Sequence, residues 1–416
     1  MIRNVLVPGR DGPCSISISD GCIASIQAEA EAAECQEGLL WALPGLIDLQ
    51  VNDMTWLDSS TSRTTPEEHA ARIRHVRDLH LKQGVTGLVL ATLAAPLDIV
   101  KAYLEGSARV VNDDSSFYGC LVEGTFMNPD CCGCHNKDYI YSPSLSRLHE
   151  LISTRGVRML NVAPEMGNAE DTIDVIRAAT REGITVGTGH AKPSARTLRN
   201  AVEAGCKYII HLGNASGSSL KAFGDGGMIE EALRNDDLNI TVIGDCIHVH
   251  PSILLDWIAR KSLDRVIAYS DQAFAAGLPS SNRFRVFGRD GCLAEDRTHL
   301  RVDDLESDVP LLFGSCVTML KVFENFVNLF TRDVQGIYYR HHAGVALSNA
   351  VAKAVQLCST NPAKLLGKDE VVGSLRPGLE ANILLVKIIE RIGYKEGVNN
   401  KYQVSLLKVF YKGQTV

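Results

Sequence analysis

Short apolar runs recur along this chain at intervals that suit parallel strands separated by helices. They span 43–50, 86–91, 118–123, 158–163, 184–190, 207–211, 240–245 and 266–271. Strands alternating with helical or loop segments over such a length predict parallel pairing with right-handed crossovers, and eight of them close a barrel. Four runs lead into a residue able to bind a metal or move a proton: Glu123, His190, His211 and Asp271. In a (β/α)8 barrel the C-terminal strand ends converge on one mouth, so these residues can meet around a single metal ion although they are distant in sequence. The pattern predicts a metallohydrolase.

Helical period is clearest in two connections. Pro66 to Gln83 opens on Thr65-Pro66-Glu67-Glu68, an N-cap and first-turn signature, and Ser194 to Ala204 carries apolar residues at helical spacing before Gly205. From about 280 to 313 the pattern turns irregular and charged, which predicts a hairpin excursion peripheral to the chemistry, followed by a helix over Ser315 to Phe330. Both chain ends are strand-rich: Asp20-Gly21-Cys22-Ile23 turns between two short strands, and Gly373-Ser374-Leu375-Arg376-Pro377-Gly378 opens another set. Neither end can bury a face alone, so together they are expected to form a small β-sandwich beside the barrel. The expected division is therefore 1–42 and 371–416 for the β-sandwich, with 43–370 for the TIM-type barrel. A length of 416 residues leaves room for that second module beyond the roughly 250 of a bare barrel.

Composition changes this picture little. A net charge of −7, from 49 acidic and 42 basic residues mixed without basic runs, argues against nucleic acid or an anionic membrane as partner and favours a small molecule. The stretch Met1 to Gly9 has one basic residue and no long apolar run, resembling neither a signal peptide nor an anchor, so a cytoplasmic protein is expected. Twelve cysteines are scattered, several inside apolar runs, which fits reduced thiols. Cys131-Cys132-Gly133-Cys134-His135 lacks paired zinc spacing and reads as a loop beside the site. His69, His75, His80 and His149 are expected to face solvent, and His250 to be a helix or loop residue.

Several segments together resemble the N-acetylglucosamine-6-phosphate deacetylases of the amidohydrolase superfamily. They are Pro44-Gly45-Leu46-Ile47-Asp48, Leu121-Val122-Glu123-Gly124, Ala163-Pro164-Glu165, Gly189-His190, His211-Leu212-Gly213-Asn214-Ala215, Asp245-Cys246-Ile247-His248-Val249, Ser270-Asp271, Gly314-Ser315 and Asn361-Pro362-Ala363, in the family's order and over nearly the whole chain. The resemblance implies Glu123, His190 and His211 as three protein ligands of one divalent metal, with zinc expected and one position open. It implies Asp271 as general base toward water and then general acid to the leaving amine. His135 and His248 would hold the sugar and polarise the scissile carbonyl, Asn214 and Ala215 would add substrate contacts, and a homodimer is implied. Many superfamily members place His-x-His at the end of the first strand for a second metal. Here Gln50-Val51-Asn52 stands there, and an amide is a poor ligand, so one metal per chain is expected.

Two departures bear on the substrate. The family's phosphate-recognising arginine has no counterpart, because the aligned residues are Gly224-Asp225-Gly226-Gly227; Lys221 is the nearest stand-in. The glycine-rich segment after the first strand is replaced by Asp53-Met54-Thr55-Trp56-Leu57, which would reshape the pocket. The expected activity is deacetylation of N-acetylglucosamine 6-phosphate or a related N-acetylated amino sugar. The alternatives are hydrolysis of a different, unphosphorylated N-acyl or cyclic amide, and a barrel that has lost catalysis.

Overall fold

The computed structural model describes residues 1–29, 39–53, 64–217, 226–273, 283–295, 297–303, 311–337, 341–394 and 400–416. The N-terminal end forms β1 (Ile2–Leu6), β2 (Pro13–Ser19), β3 (Cys22–Ala28) and β4 (Leu39–Pro44). The barrel strands follow as β5 (Leu46–Val51), β6 (Val85–Ala91), β7 (Phe117–Phe126), β8 (Val157–Val162), β9 (Thr185–Thr188), β10 (Tyr208–Ile209), β11 (Asn239–Ile243) and β12 (Val266–Tyr269). These eight lie parallel in chain order, and a bridge between Val51 and Gln272 joins the last to the first. The (β/α)8 prediction is met. Inward residues such as Ile47, Leu121, Tyr208, Ile267 and Tyr269 pack into a second apolar cluster inside the ring.

The predicted first strand, 43–50, begins too early. Leu43 and Pro44 pair with Leu384 and Ile383, so they finish a strand of the other sheet. The chain changes sheet at Gly45, where a Cβ would sit 2.0 Å from Thr86 Oγ1, so no larger residue fits the crossing. That sheet sets β1 to β4 on one side and the C-terminal strands on the other, joined where β4 pairs with Ile383–Glu390, around a shared apolar cluster that includes Val5, Ile16, Ile23, Ala42 and Ile383. The helix predicted over Ser315 to Phe330 is shorter: Met319–Phe330 starts at an N-cap, Thr318. The four residues Leu312–Ser315 are strand, because they close an antiparallel sheet formed by β13 (Arg283–Val286), β14 (Arg289–Leu293), β15 (His299–Val302) and β16 (Leu312–Ser315). Gln272 bridges Ser315, which seats this sheet on the barrel rim.

The helix Pro66–Lys82 starts at the predicted N-cap, which the structure completes as a capping box: Thr65 Oγ1 accepts from the Glu68 amide at 3.3 Å and Glu68 Oε2 from the Thr65 amide at 2.8 Å. Two of its histidines contradict the solvent-facing expectation, since His69 and His80 are buried; His75 and His149 are exposed. His69 stacks edge-on against Tyr103 at 5.2 Å, and among the described residues neither ring nitrogen has a partner. Burial, then the charge of Arg72, pushes its imidazole down to about 4. The folded state therefore refuses a proton that the unfolded chain accepts near pH 6.5, so this contribution to stability is complete above that pH and is lost as pH falls from 6.5 toward 4. Replacing His69 with Phe removes two unsatisfied buried atoms, each costing about 1–3 kcal/mol. Denaturant unfolding at pH 7 and pH 5 is expected to show a more stable variant whose advantage grows at pH 5; equal or lower stability at both would contradict this account.

Candidate active site

The mouth of the barrel opens into a cavity of about 470 Å³ lined by Glu123, His135, His190, His211, Asn214, Ala215, His248, Asp271 and Asn52, among others. Glu123 lies within β7, three residues before its end at Phe126, rather than at the predicted strand terminus. His190, His211 and Asp271 each lie two residues beyond β9, β10 and β12, with φ of 48°, 28° and 48°. Such left-handed backbone costs on the order of 1–3 kcal/mol per non-glycine residue and clusters where a fold must aim side chains. Here it turns the side chains of His190, His211 and Asp271 off the strand direction into the mouth. Hydrogen bonds hold the turns: the His211 amide donates to Thr241 Oγ1 and to the Tyr269 hydroxyl, both at 2.9 Å, and the Ser315 amide donates to the Asp271 carbonyl at 2.9 Å.

Glu123 Oε1 is 3.1 Å from His211 Nε2 and 3.4 Å from His190 Nε2, and one ligand atom from each of the three residues fits within 4.8 Å of the others. His190 Nδ1 donates to the Cys131 carbonyl at 2.8 Å, so the neutral ring carries its lone pair on Nε2, facing a carboxylate oxygen. Two electron-rich atoms in that position repel unless a cation lies between them. Buried His211 Nδ1 has no partner among the described residues, leaving that ring equally free to present a lone pair. The donor set therefore fits a divalent metal.

Gln50 and Asn52 act as donors here. Gln50 Nε2 donates to Glu123 Oε1 at 2.7 Å and Asn52 Nδ2 to Asp271 Oδ1 at 3.3 Å, so amide protons sit beside both carboxylates. Burial, followed by the charges of Glu123, Asp245 and Asp48, raises the Asp271 carboxyl well above its ordinary value. His135 accepts the Ala94 amide on Nδ1 at 3.1 Å, which puts the proton on Nε2. Burial and then the neighbouring His190 push its imidazole down to about 3, so it is a neutral donor. Gly124 permits this approach, since a Cβ there would meet Ala94 N at 2.1 Å. His248 Nδ1 donates to Asp245 Oδ2 at 2.6 Å, while Asp245 Oδ1 accepts the amides of Ile247 and His248. His250 caps the helix Pro251–Lys261.

Residues 41–416 match the amidohydrolase family. The chain belongs to that family. The amidohydrolase is 25% identical over 374 residues to the N-acetylgalactosamine-6-phosphate deacetylase of Escherichia coli O157:H7, covering 89% of each chain. It is 26% identical over 369 residues to the N-acetylglucosamine-6-phosphate deacetylase of Vibrio furnissii, covering 88% of this chain and 83% of that one. The N-acetyl-D-glucosamine-6-phosphate deacetylase of Mycobacterium smegmatis superposes with a TM-score of 0.78 at 21% identity over 99% of this chain and 98% of its own, a likeness of fold. Membership makes the protein a metal-dependent hydrolase of C–N bonds.

The structure corrects one expectation about the site. His299, Leu311, Leu312, Phe313 and Gly314 of the antiparallel insertion line the cavity, so the insertion is not peripheral to it. Sequence reasoning missed His299 because its strand folds over the mouth only through long-range pairing. Lys221, Gly224 and Asp225 lie outside the described residues, as do Met54 to Leu57. Among the described residues no Lys or Arg lines the cavity. No helix among them is long and apolar enough to cross a membrane.

Proposed function

We propose that this amidohydrolase uses one divalent metal, zinc by the nature of its ligands, to remove the acetyl group from an N-acetylated amino sugar, N-acetylglucosamine 6-phosphate or a near relative. The observation that carries this reading is the convergence of Glu123, His190 and His211 opposite a buried Asp271 and a His135 held with its proton on Nε2. A divalent ion bound by those three side chains supplies Lewis acidity for the amide carbonyl and lowers the pKa of water toward roughly 7. Asp271 takes the proton of the attacking water and returns it to the leaving nitrogen. His135 donates to the carbonyl oxygen as negative charge develops on it, an interaction worth roughly 3 kcal/mol. His248, fixed through Nδ1 by Asp245, turns Nε2 toward the sugar, with Asn214 and Ala215 beside it. The relatives act, by name, on 6-phosphates of both N-acetylglucosamine and N-acetylgalactosamine, which supports the substrate class.

A second reading, hydrolysis of an unphosphorylated N-acyl compound, is favoured by the absence of Lys and Arg from the described cavity wall. A charge-assisted contact contributes about 1.5–3 kcal/mol, or about ten- to hundredfold in kcat/KM. Acetate release from N-acetylglucosamine with and without the 6-phosphate separates the two readings. We expect less than about tenfold preference for the phosphate. A larger preference abolished by Lys221→Ala would give that lysine the missing arginine's role, and one abolished by His299→Ala would give it to the insertion. Absence of acetate release from every N-acetylated amino sugar in a panel would overturn the proposal.

A further inference from the structure

Glu165, in the segment Ala163-Pro164-Glu165 after β8, does not line the cavity, yet hydrogen bonds connect it to the loop that bears the ligand His190 and to the loop that bears His135. Its Oε1 accepts Asn128 Nδ2 at 2.8 Å and the Lys192 amide at 2.6 Å. Asn128 in turn donates its own amide to the His190 carbonyl at 2.9 Å, accepts the Asp130 amide on Oδ1 at 3.0 Å, and accepts the Cys131 amide on its carbonyl at 2.9 Å. The turn so formed aims the Cys131 carbonyl at His190 Nδ1, 2.8 Å away. A closed ring results: Glu165, Asn128, the turn to Cys131, His190, and back through Lys192 to the same carboxylate oxygen.

We propose that Glu165 is a positioning residue that sets the orientation and tautomer of the ligand His190 and the placement of the loop bearing His135. His190 sits at φ 48°, a backbone state that persists only where its surroundings over-determine it, and the ring pins both its carbonyl and the amide two residues on. The same loop continues to His135, whose amide donates to the Cys132 carbonyl at 3.1 Å, so movement at Asn128 reaches the group that polarises the substrate carbonyl. A side-chain ion pair between the same loops, Lys192 Nζ to Asp130 Oδ2 at 2.5 Å, is largely exposed and contributes little. Partners of metal-bound imidazoles typically govern metal affinity by about 10–100-fold. Glu165 acts at one remove further, through the partner carbonyl.

The inference rests on the metal-site reading above. Zinc affinity measured by chelator competition should weaken by about 10–100-fold in Glu165→Ala, while the melting temperature of the metal-free protein falls by no more than about 4 °C. At saturating zinc, kcat should remain below that of the parent, because His135 is displaced as well. Glu165→Gln retains an acceptor oxygen for both donors and should recover most of the affinity. Asn128→Asp keeps the cap on Asp130 but sets a carboxylate against Glu165, and should weaken zinc in the same direction. A folded Glu165→Ala with affinity and kcat within about twofold of the parent overturns the proposal, and so does unfolding of both Glu165→Ala and Asn128→Asp, which would make the ring a folding element. A parent that binds no zinc would instead remove the metal-site reading itself.

Discussion

Asp271→Asn is expected to keep the fold and the metal and to lose roughly 10²–10⁴-fold in kcat, the span of general acid–base catalysis. The substitution is nearly isosteric, and the backbone around it is held independently of the side chain by the Ser315 amide on the Asp271 carbonyl at 2.9 Å. Only proton transfer is removed, since an amide can neither accept a proton from water nor deliver one to an amine. Burial and the acidic neighbours Glu123, Asp245 and Asp48 raise this carboxyl, so the parent should gain activity with rising pH as it ionises, and the Asn variant should lack that limb. Steady-state acetate release across pH, with metal content measured on the same samples, tests both statements. A variant that retains metal and most of its turnover would move the proton-transfer role elsewhere, with His248 and its Asp245 partner the next group to change.

His190→Ala should strip the metal. Parent protein is expected to carry close to one divalent ion per chain and the variant almost none after dialysis, because Glu123 and His211 alone cannot define a tight site. The Cys131 carbonyl also loses its donor, which loosens the loop that carries His135. Two tightly bound ions per chain in the parent would contradict the single-metal reading. That reading rests on Gln50 and Asn52, whose amide protons are already engaged with Glu123 and Asp271. A variant that keeps a full equivalent would show that His190 is not a ligand.

Much of this was legible in one dimension because its causes are local. Apolar runs of strand length, each punctuated by a polar residue, identified the barrel and placed Glu123, His190, His211 and Asp271 at one mouth. Thr65 and Glu68 announced a helix start because a capping box spans three residues. Burial of His69 and His80 was also available, since with Ile73 and Val76 they form one helical stripe, but a histidine at such a position reads as polar before its surroundings are known.

The sequence by itself determined the barrel strands, the helix start at Thr65 and the polar side chains that converge on the mouth. Tertiary structure decided what each of those side chains faces. Gly45 marks a change of sheet only because β4 pairs with a strand some 340 residues later, as the partners Leu43 and Leu384 show. His299 reaches the cavity only because β15 pairs with β16 and β16 seats on the barrel rim. The tautomers of His190 and His135 depend on the Cys131 carbonyl and the Ala94 amide, backbone groups that every residue possesses and that no residue letter distinguishes. Periodicity along a chain reports local geometry, whereas hydrogen-bond partners across a fold are chosen by closure of the whole barrel.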